Sequence, residues 1–297
     1  MTNRIETLLA SLCVAFIADC TTTHANANDH SDHDTVTPGG SVSIPTNGSL
    51  PADASGARTR LASSPRHGEW VTYKSGGDSI RAWLVYPQRK DKAPVIVVIH
   101  EIYGLTPWVR AVADQLAEAG YIAIAPDLLT MKGLPNATDS VPADLATAAI
   151  RTLAVDDVQR YIDASASYAM ALPSARKKYG TVGFCWGGAA SFQHAVHSPS
   201  LSASVVYYGT SPATPSLASI KAPVLGLYGG SDARVGATVP PADSAMKALG
   251  KTFEPHSYEG AAHGFLRQQS GQAGANLTAT QQAWPATIAW FRRYLGA

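Results

Sequence analysis

The chain has 297 residues, with 23 Lys plus Arg against 22 Asp plus Glu and a formal net charge of +1. So even a balance excludes a broad basic face for nucleic acid, and 45% hydrophobic residues exclude disorder throughout. Three cysteines are too few to staple a chain long enough for one large α/β domain or two small ones.

Residues 1–27 read as an export signal. Arg4 precedes an uncharged run over residues 8–18, and Ala25-Asn26-Ala27 offers the small-x-small cleavage pattern. The run is shorter than the roughly 20 residues that span a bilayer. The expected location is periplasmic or secreted, with no stable membrane insertion after processing. Lipidation at Cys20 ranks second, because Asp19 is a poor residue before a lipidated cysteine. Cleavage would remove Cys13 and Cys20, leaving Cys185 as a lone thiol in an oxidising compartment.

Residues 28–67 contain no Phe, Trp or Tyr. They read as a disordered linker, because such a composition buries too little apolar surface to offset chain entropy. His30 and His33, among Asp29, Asp32 and Asp34, read as a solvated polar tract, with loose metal binding the alternative.

The pattern changes at Gly68. Residues 69–75 and 79–86 predict two strands joined at Gly76-Gly77-Asp78. Residues 94–100 form a continuous apolar run, the mark of a strand covered on both faces. Residues 107–119 have helical spacing and stop at Gly120. A buried strand over 121–125 and a long helical region over 142–172 follow. Strands over 179–184, 203–208, 223–228 and 252–258 then alternate with helices over 187–197 and 240–249. A terminal helix is expected from Gln281 or Pro285 to Leu295. This alternation predicts one α/β domain over residues 68–297, a mostly parallel sheet with helices on both faces.

Gly183-Phe184-Cys185-Trp186-Gly187-Gly188 lies between a predicted strand and a predicted helix. It has the nucleophile-elbow pattern, with Cys in place of the usual Ser. Small residues flank the nucleophile because the turn is tight. A helix N-terminus beside the sulfur favours thiolate. A free cysteine is ordinarily a small buried hydrophobe; its position at this turn points instead to catalysis. Asp232 follows one buried strand and His263 the next, giving the order nucleophile, acid, base. Asp127 is the rival acid, read as a loop or helix-cap residue. His194, His197 and His256 lie within a helix or strand and read as structural or exposed.

His100-Glu101-Ile102-Tyr103-Gly104-Leu105, the elbow, Gly229-Gly230-Ser231-Asp232 and Ala262-His263-Gly264-Phe265 together resemble the dienelactone hydrolase family. The resemblance implies an α/β-hydrolase fold, hydrolysis of a small-molecule carboxylic ester or lactone, and no metal or organic cofactor. It implies that Glu101 contacts the Cys185 thiol and controls its protonation; the ordinary alternative is a strand-end charge paired with an Arg. Backbone N–H groups of Ile102 and Trp186 would form the oxyanion hole. Arg267 matches a position that binds a substrate carboxylate, with Tyr103 as a second substrate contact, and a surface Arg is the alternative. Residues 128–145 contain no Arg where the family has its second, and Lys132 is the candidate substitute.

That departure favours a broader substrate range than dienelactone. The first reading is a monomeric lactone or ester hydrolase with a Cys-His-Asp triad. The second is an exported esterase for aryl, feruloyl-type or polymeric esters. The third is a non-catalytic binding protein on a hydrolase scaffold.

Overall fold

In the computed structural model, residues 50–134 and 141–296 are described. The expected export signal, the histidine tract and the first part of the linker lie outside them. A short helix, α1 (Ala57–Ser63), comes first, then the hairpin of β1 (Gly68–Ser75) and β2 (Asp78–Val85). β3 (Ala93–Ile99), α2 (Pro107–Glu118) and β4 (Ile122–Asp127) follow, then α3 (Ala143–Ile150) and α4 (Val155–Ala171). β5 (Ala175–Phe184) leads into α5 (Trp186–His197), then come β6 (Ala203–Tyr207) and β7 (Val224–Gly229). The chain continues through α6 (Ala233–Gly236), α7 (Val239–Ala248), β8 (Phe253–Tyr258) and α8 (Ala275–Leu295).

The eight strands form one sheet in the order β1-β2-β4-β3-β5-β6-β7-β8. β1 and β2 are antiparallel, and β4 through β8 run parallel. Every residue of β3 is buried, as its apolar run predicts. Period-two alternation sends Ile96 and Val98 into a core with α2 and α8, and Val95, Val97 and Ile99 into a core with α4, α5 and α7. Each such side chain contributes on the order of 1.5–3 kcal/mol on burial, which fixes the central strands that carry the site. Among the described residues, no helix is long and apolar enough to cross a membrane.

Three boundaries differ from expectation. The linker does not run to residue 67 without structure. Residues 50–66 lie against α2, where Asp114 accepts from Arg60 at 3.0 Å, from Arg66 at 2.6 and 2.9 Å, and from Ser64. These contacts are polar and leave no hydrophobic period to read. The long helical region divides at Arg151, and α4 restarts with Asp156 and Asp157 in its first turn, where the helix dipole favours acid. α8 begins at Ala275, with Pro285 inside it. Burial of Ala279, Ala283, Trp284, Trp290 and Phe291 outweighs the hydrogen bond that proline forgoes.

Candidate active site

β5 ends at Phe184, and the chain turns sharply into α5. Cys185 sits at that turn with φ 55° and ψ −118°, a left-handed backbone that few residues other than glycine adopt. The turn closes so tightly that a Cβ on Gly183 would lie 1.9 Å from the Gly187 carbonyl oxygen. A Cβ on Gly187 would lie 2.3 Å from the His100 oxygen. The two glycines thus let the elbow form and let α5 dock against the end of β3. Trp186 opens α5, and the first N–H groups of a helix have no intrahelical partner.

The β3 end supplies the opposite wall. His100 is fully buried, with its Nδ1 2.7 Å from the Glu101 carbonyl and its Nε2 3.2 Å from the Leu128 N–H. Nε2 therefore accepts and Nδ1 donates. Burial holds this ring down to about 4, so it is neutral and pins the Glu101-Ile102 peptide. The turn closes through Gly104 N–H to the Glu101 carbonyl at 3.1 Å. Ile102, Leu129, Ala146 and Ile150 form a small apolar cluster, with Tyr103, Leu153, Cys185 and Trp186 packed on it. α3 thereby covers Cys185 with apolar side chains. Trp186 and Leu153 also line a cavity of ≈ 250 Å³ with Val158, Ala190, Gln193 and Ser211.

Asp232 and His263 arrive from the ends of β7 and β8. The His263 Nδ1 lies 2.6 Å from the Asp232 carboxylate, whose other oxygen accepts from the Val235 N–H at 3.2 Å and caps α6. Burial lowers the imidazole, but hydrogen bonds to Asp232 and Cys185, with the charges of both, hold it up at about 10. Burial raises Asp232, but the His263 contact outweighs it and the carboxyl stays below its ordinary value. The structure thus pairs His263 with Asp232, and the charges of Asp232 and Cys185 favour a proton on the imidazole.

Glu101 is 3% exposed, and the partner the structure gives it is an Arg. Arg267 Nε lies 3.0 Å from Glu101 Oε2, although neither atom meets hydrogen-bond geometry, so the contact is chiefly coulombic. Burial raises the Glu101 carboxyl, opposed by the charges of Arg267 and His263, and the net shift is upward. The Arg267 guanidinium also lies 5.2 Å from the Tyr103 ring centre. Arg267 is therefore half-buried against Glu101, and Tyr103 shares its environment.

The competing candidates lie elsewhere. Asp127 is buried at the end of β4 and accepts from the Leu129 N–H at 3.1 Å. His194 is fully buried between Gln159 and Tyr179, His197 pairs with Asp163, and His256 is exposed on β8. Lys132 is exposed and donates to the Thr152 carbonyl at 3.2 Å. Among the described residues, no group of three His, Cys, Asp or Glu side chains has metal-holding geometry.

Two site residues escape sequence reasoning. Tyr208 follows β6 with φ 38°, and its buried ring lies 5.1 Å from the His263 ring. Asn276, in the first turn of α8, accepts from the Ala262 N–H at 2.9 Å and donates to the Gln268 carbonyl at 2.8 Å. It clamps both ends of the loop that carries His263. A tyrosine at a strand end and an asparagine in a helix carry no signal of their own.

Residues 80–295 match the family model described as "Dienelactone hydrolase family". The protein named "Putative carboxymethylenebutenolidase" of Salmonella typhimurium is 32% identical over 234 residues, covering 75% of this chain and 86% of that relative. A protein of the same name from Escherichia coli is 31% identical over 239 residues, covering 76% and 87%. The crystal structure named "Putative Dienelactone Hydrolase" from Klebsiella pneumoniae superposes with a TM-score of 0.69 at 28% identity, covering 77% of this chain and 99% of that one.

Proposed function

This chain belongs to the dienelactone hydrolase family of hydrolases acting on ester or lactone bonds, and we propose that it works through a thioacyl-enzyme on Cys185. The observation that carries this reading is geometric: His263 Nδ1 is held 2.6 Å from the Asp232 carboxylate, and Cys185 sits on a strained strand-to-helix turn at φ 55°. His263, acting as base, takes the Cys185 proton and generates the thiolate. The thiolate attacks the carbonyl carbon, and the oxygen takes negative charge against the N–H groups of Ile102 and Trp186. His263 then gives its proton to the leaving oxygen. In the second half, His263 takes a proton from water, hydroxide adds to the thioester, and the collapsing adduct expels the Cys185 thiolate.

The nucleophile narrows the substrate. Thiolate leaves more easily than alkoxide, so an adduct from a simple alkyl ester tends to revert. Enol lactones and aryl esters have stabilised leaving oxygens and go forward. A substrate carboxylate would compete with Glu101 for Arg267, the single cation of the charge-recognition reading. The apolar cluster at Cys185 supports the second reading, an aryl, feruloyl-type or polymeric ester. Residues 1–27 support action outside the inner membrane. Alkylation by iodoacetamide tests the scheme: loss of activity should track modification of Cys185 one for one, and an active, fully alkylated enzyme would refute it.

A further inference from the structure

Residues 50–66 precede the matched family segment, which begins at residue 80. They are nevertheless tied to the loop that carries His263 and Arg267. The Ala54 N–H donates to the Arg267 carbonyl at 3.0 Å. The Gln269 amide donates to the Pro51 carbonyl at 2.8 Å and to the Leu266 carbonyl at 3.1 Å. Gln269 is 1% exposed, so these are bonds that water does not replace.

The segment is itself anchored. Trp108 donates to the Ala52 carbonyl at 3.1 Å, and Ala57 is buried in the core that holds Phe265 and Leu266. Arg60, Ser64 and Arg66 converge on Asp114, which is 2% exposed. Burial raises that carboxyl, but the bonds from Arg66, Ser64 and Arg60 outweigh it and keep it ionised. α2 is thus the fixed base, and residues 50–66 reach from it to the catalytic loop.

We propose that residues 50–66 are a strap that positions Arg267, with Ala54 and Gln269 as the positioning contacts, and so sets how the enzyme discriminates charged from neutral esters. The inference rests on the reading of Arg267 given above. The loop has two supports of different kinds. Asn276 holds Ala262, next to His263, and Gln268. The strap holds Arg267 itself and Gln269. Loosening the strap leaves the Asn276 clamp beside His263 in place and frees the backbone beneath the Arg267 guanidinium. Catalysis on a neutral ester then persists, and recognition of a carboxylate weakens.

The test uses the full chain. Ala54→Pro removes the N–H donor at an exposed turn, and Ala54→Ser keeps the donor. Gln269→Leu removes both amide bonds through a second route. Hydrogen exchange over residues 262–271 and kcat and KM are measured with p-nitrophenyl acetate and with a p-nitrophenyl ester bearing a free carboxylate. Ala54→Pro and Gln269→Leu should speed exchange and raise KM for the charged ester roughly 2- to 10-fold, as expected for one lost hydrogen bond. Neither should change kcat for the neutral ester, and Ala54→Ser should match the wild type. Unchanged exchange, or equal effects on both esters, overturns the strap. If Arg267→Ala itself leaves the two esters alike, the reading of Arg267 fails, and the exchange result still decides whether the strap holds the loop.

Discussion

Glu101 and Arg267 meet at 3.0 Å, one from the end of β3 and the other from the loop after β8. The pair couples the turn that carries the proposed oxyanion donor to the loop that carries the proposed base. Each partner is buried or nearly so, with side-chain exposures of 4% and 21%. Removing either leaves a charge without compensation, which is costlier than the pair itself is favourable.

Arg267→Ala therefore has two expected effects. KM for a carboxylate-bearing lactone should rise about ten- to a hundredfold, the value of one charge-assisted contact, and salt should lower that reaction more than hydrolysis of a neutral aryl ester. Glu101, with its cation gone, should take up a proton at higher pH than in the wild type. Steady-state kinetics at two ionic strengths check the first effect. Equal slowing of both substrates would instead make Arg267 a support for the His263 loop.

Glu101→Gln removes the carboxylate but keeps the shape. Loss of that charge should change the pH dependence of Cys185 alkylation in the free enzyme and slow turnover. Rate profiles with iodoacetamide from pH 5 to 10 measure this. Profiles and turnover that overlay the wild type would reduce Glu101 to a structural partner of Arg267.

Asp232→Asn and Asp127→Asn separate the two acids. The first removes the charge that holds His263, and kcat should fall on the order of a thousandfold or more, as for other triads deprived of their acid. Binding its proton more tightly folded than unfolded, His263 contributes stability that is complete below about pH 6.5 and lost as pH rises through about 10. The melting midpoint of Asp232→Asn should therefore fall less steeply than that of the wild type across this window. Full activity in Asp232→Asn would remove it from the triad.

Asp127→Asn should leave activity near wild type. Burial pushes the Asp127 carboxyl up to about 6, so the folded state favours its protonated form. That contribution is present below about pH 4 and lost as pH rises through about 6. Asparagine keeps an acceptor for the Leu129 N–H and carries no charge. The variant should gain on the order of 2–3 kcal/mol relative to the wild type between pH 4 and 7, read as a difference in melting midpoints. A constant difference across that range would contradict the burial argument.

Much of this architecture is legible in residue order, for physical reasons. The run over residues 94–99 is apolar because β3 is covered on both faces. The glycines around Cys185 are required by backbone approach, so the elbow shows in sequence. The order of Cys185, Asp232 and His263 follows from successive parallel strand ends. What escapes reading depends on partners distant in sequence. The contacts of Arg60 and Arg66 with Asp114 give residues 50–66 no period. Pro285 reads as a helix start, although the buried face of α8 extends through it. The partner of Glu101 lies 166 residues further on, and only the folded sheet, which aligns the ends of β3 and β8, brings the two together.

The most direct measurement of the central claim is the mass of the intact enzyme quenched during turnover of a p-nitrophenyl ester. The account predicts a burst of p-nitrophenol together with a mass increase of one acyl group, mapped by digestion to Cys185 and released by hydroxylamine. Cys185→Ala should show neither burst nor adduct, with its fold retained, because the elbow accepts a small side chain. Turnover by Cys185→Ala, or an adduct on any other residue, would contradict the mechanism.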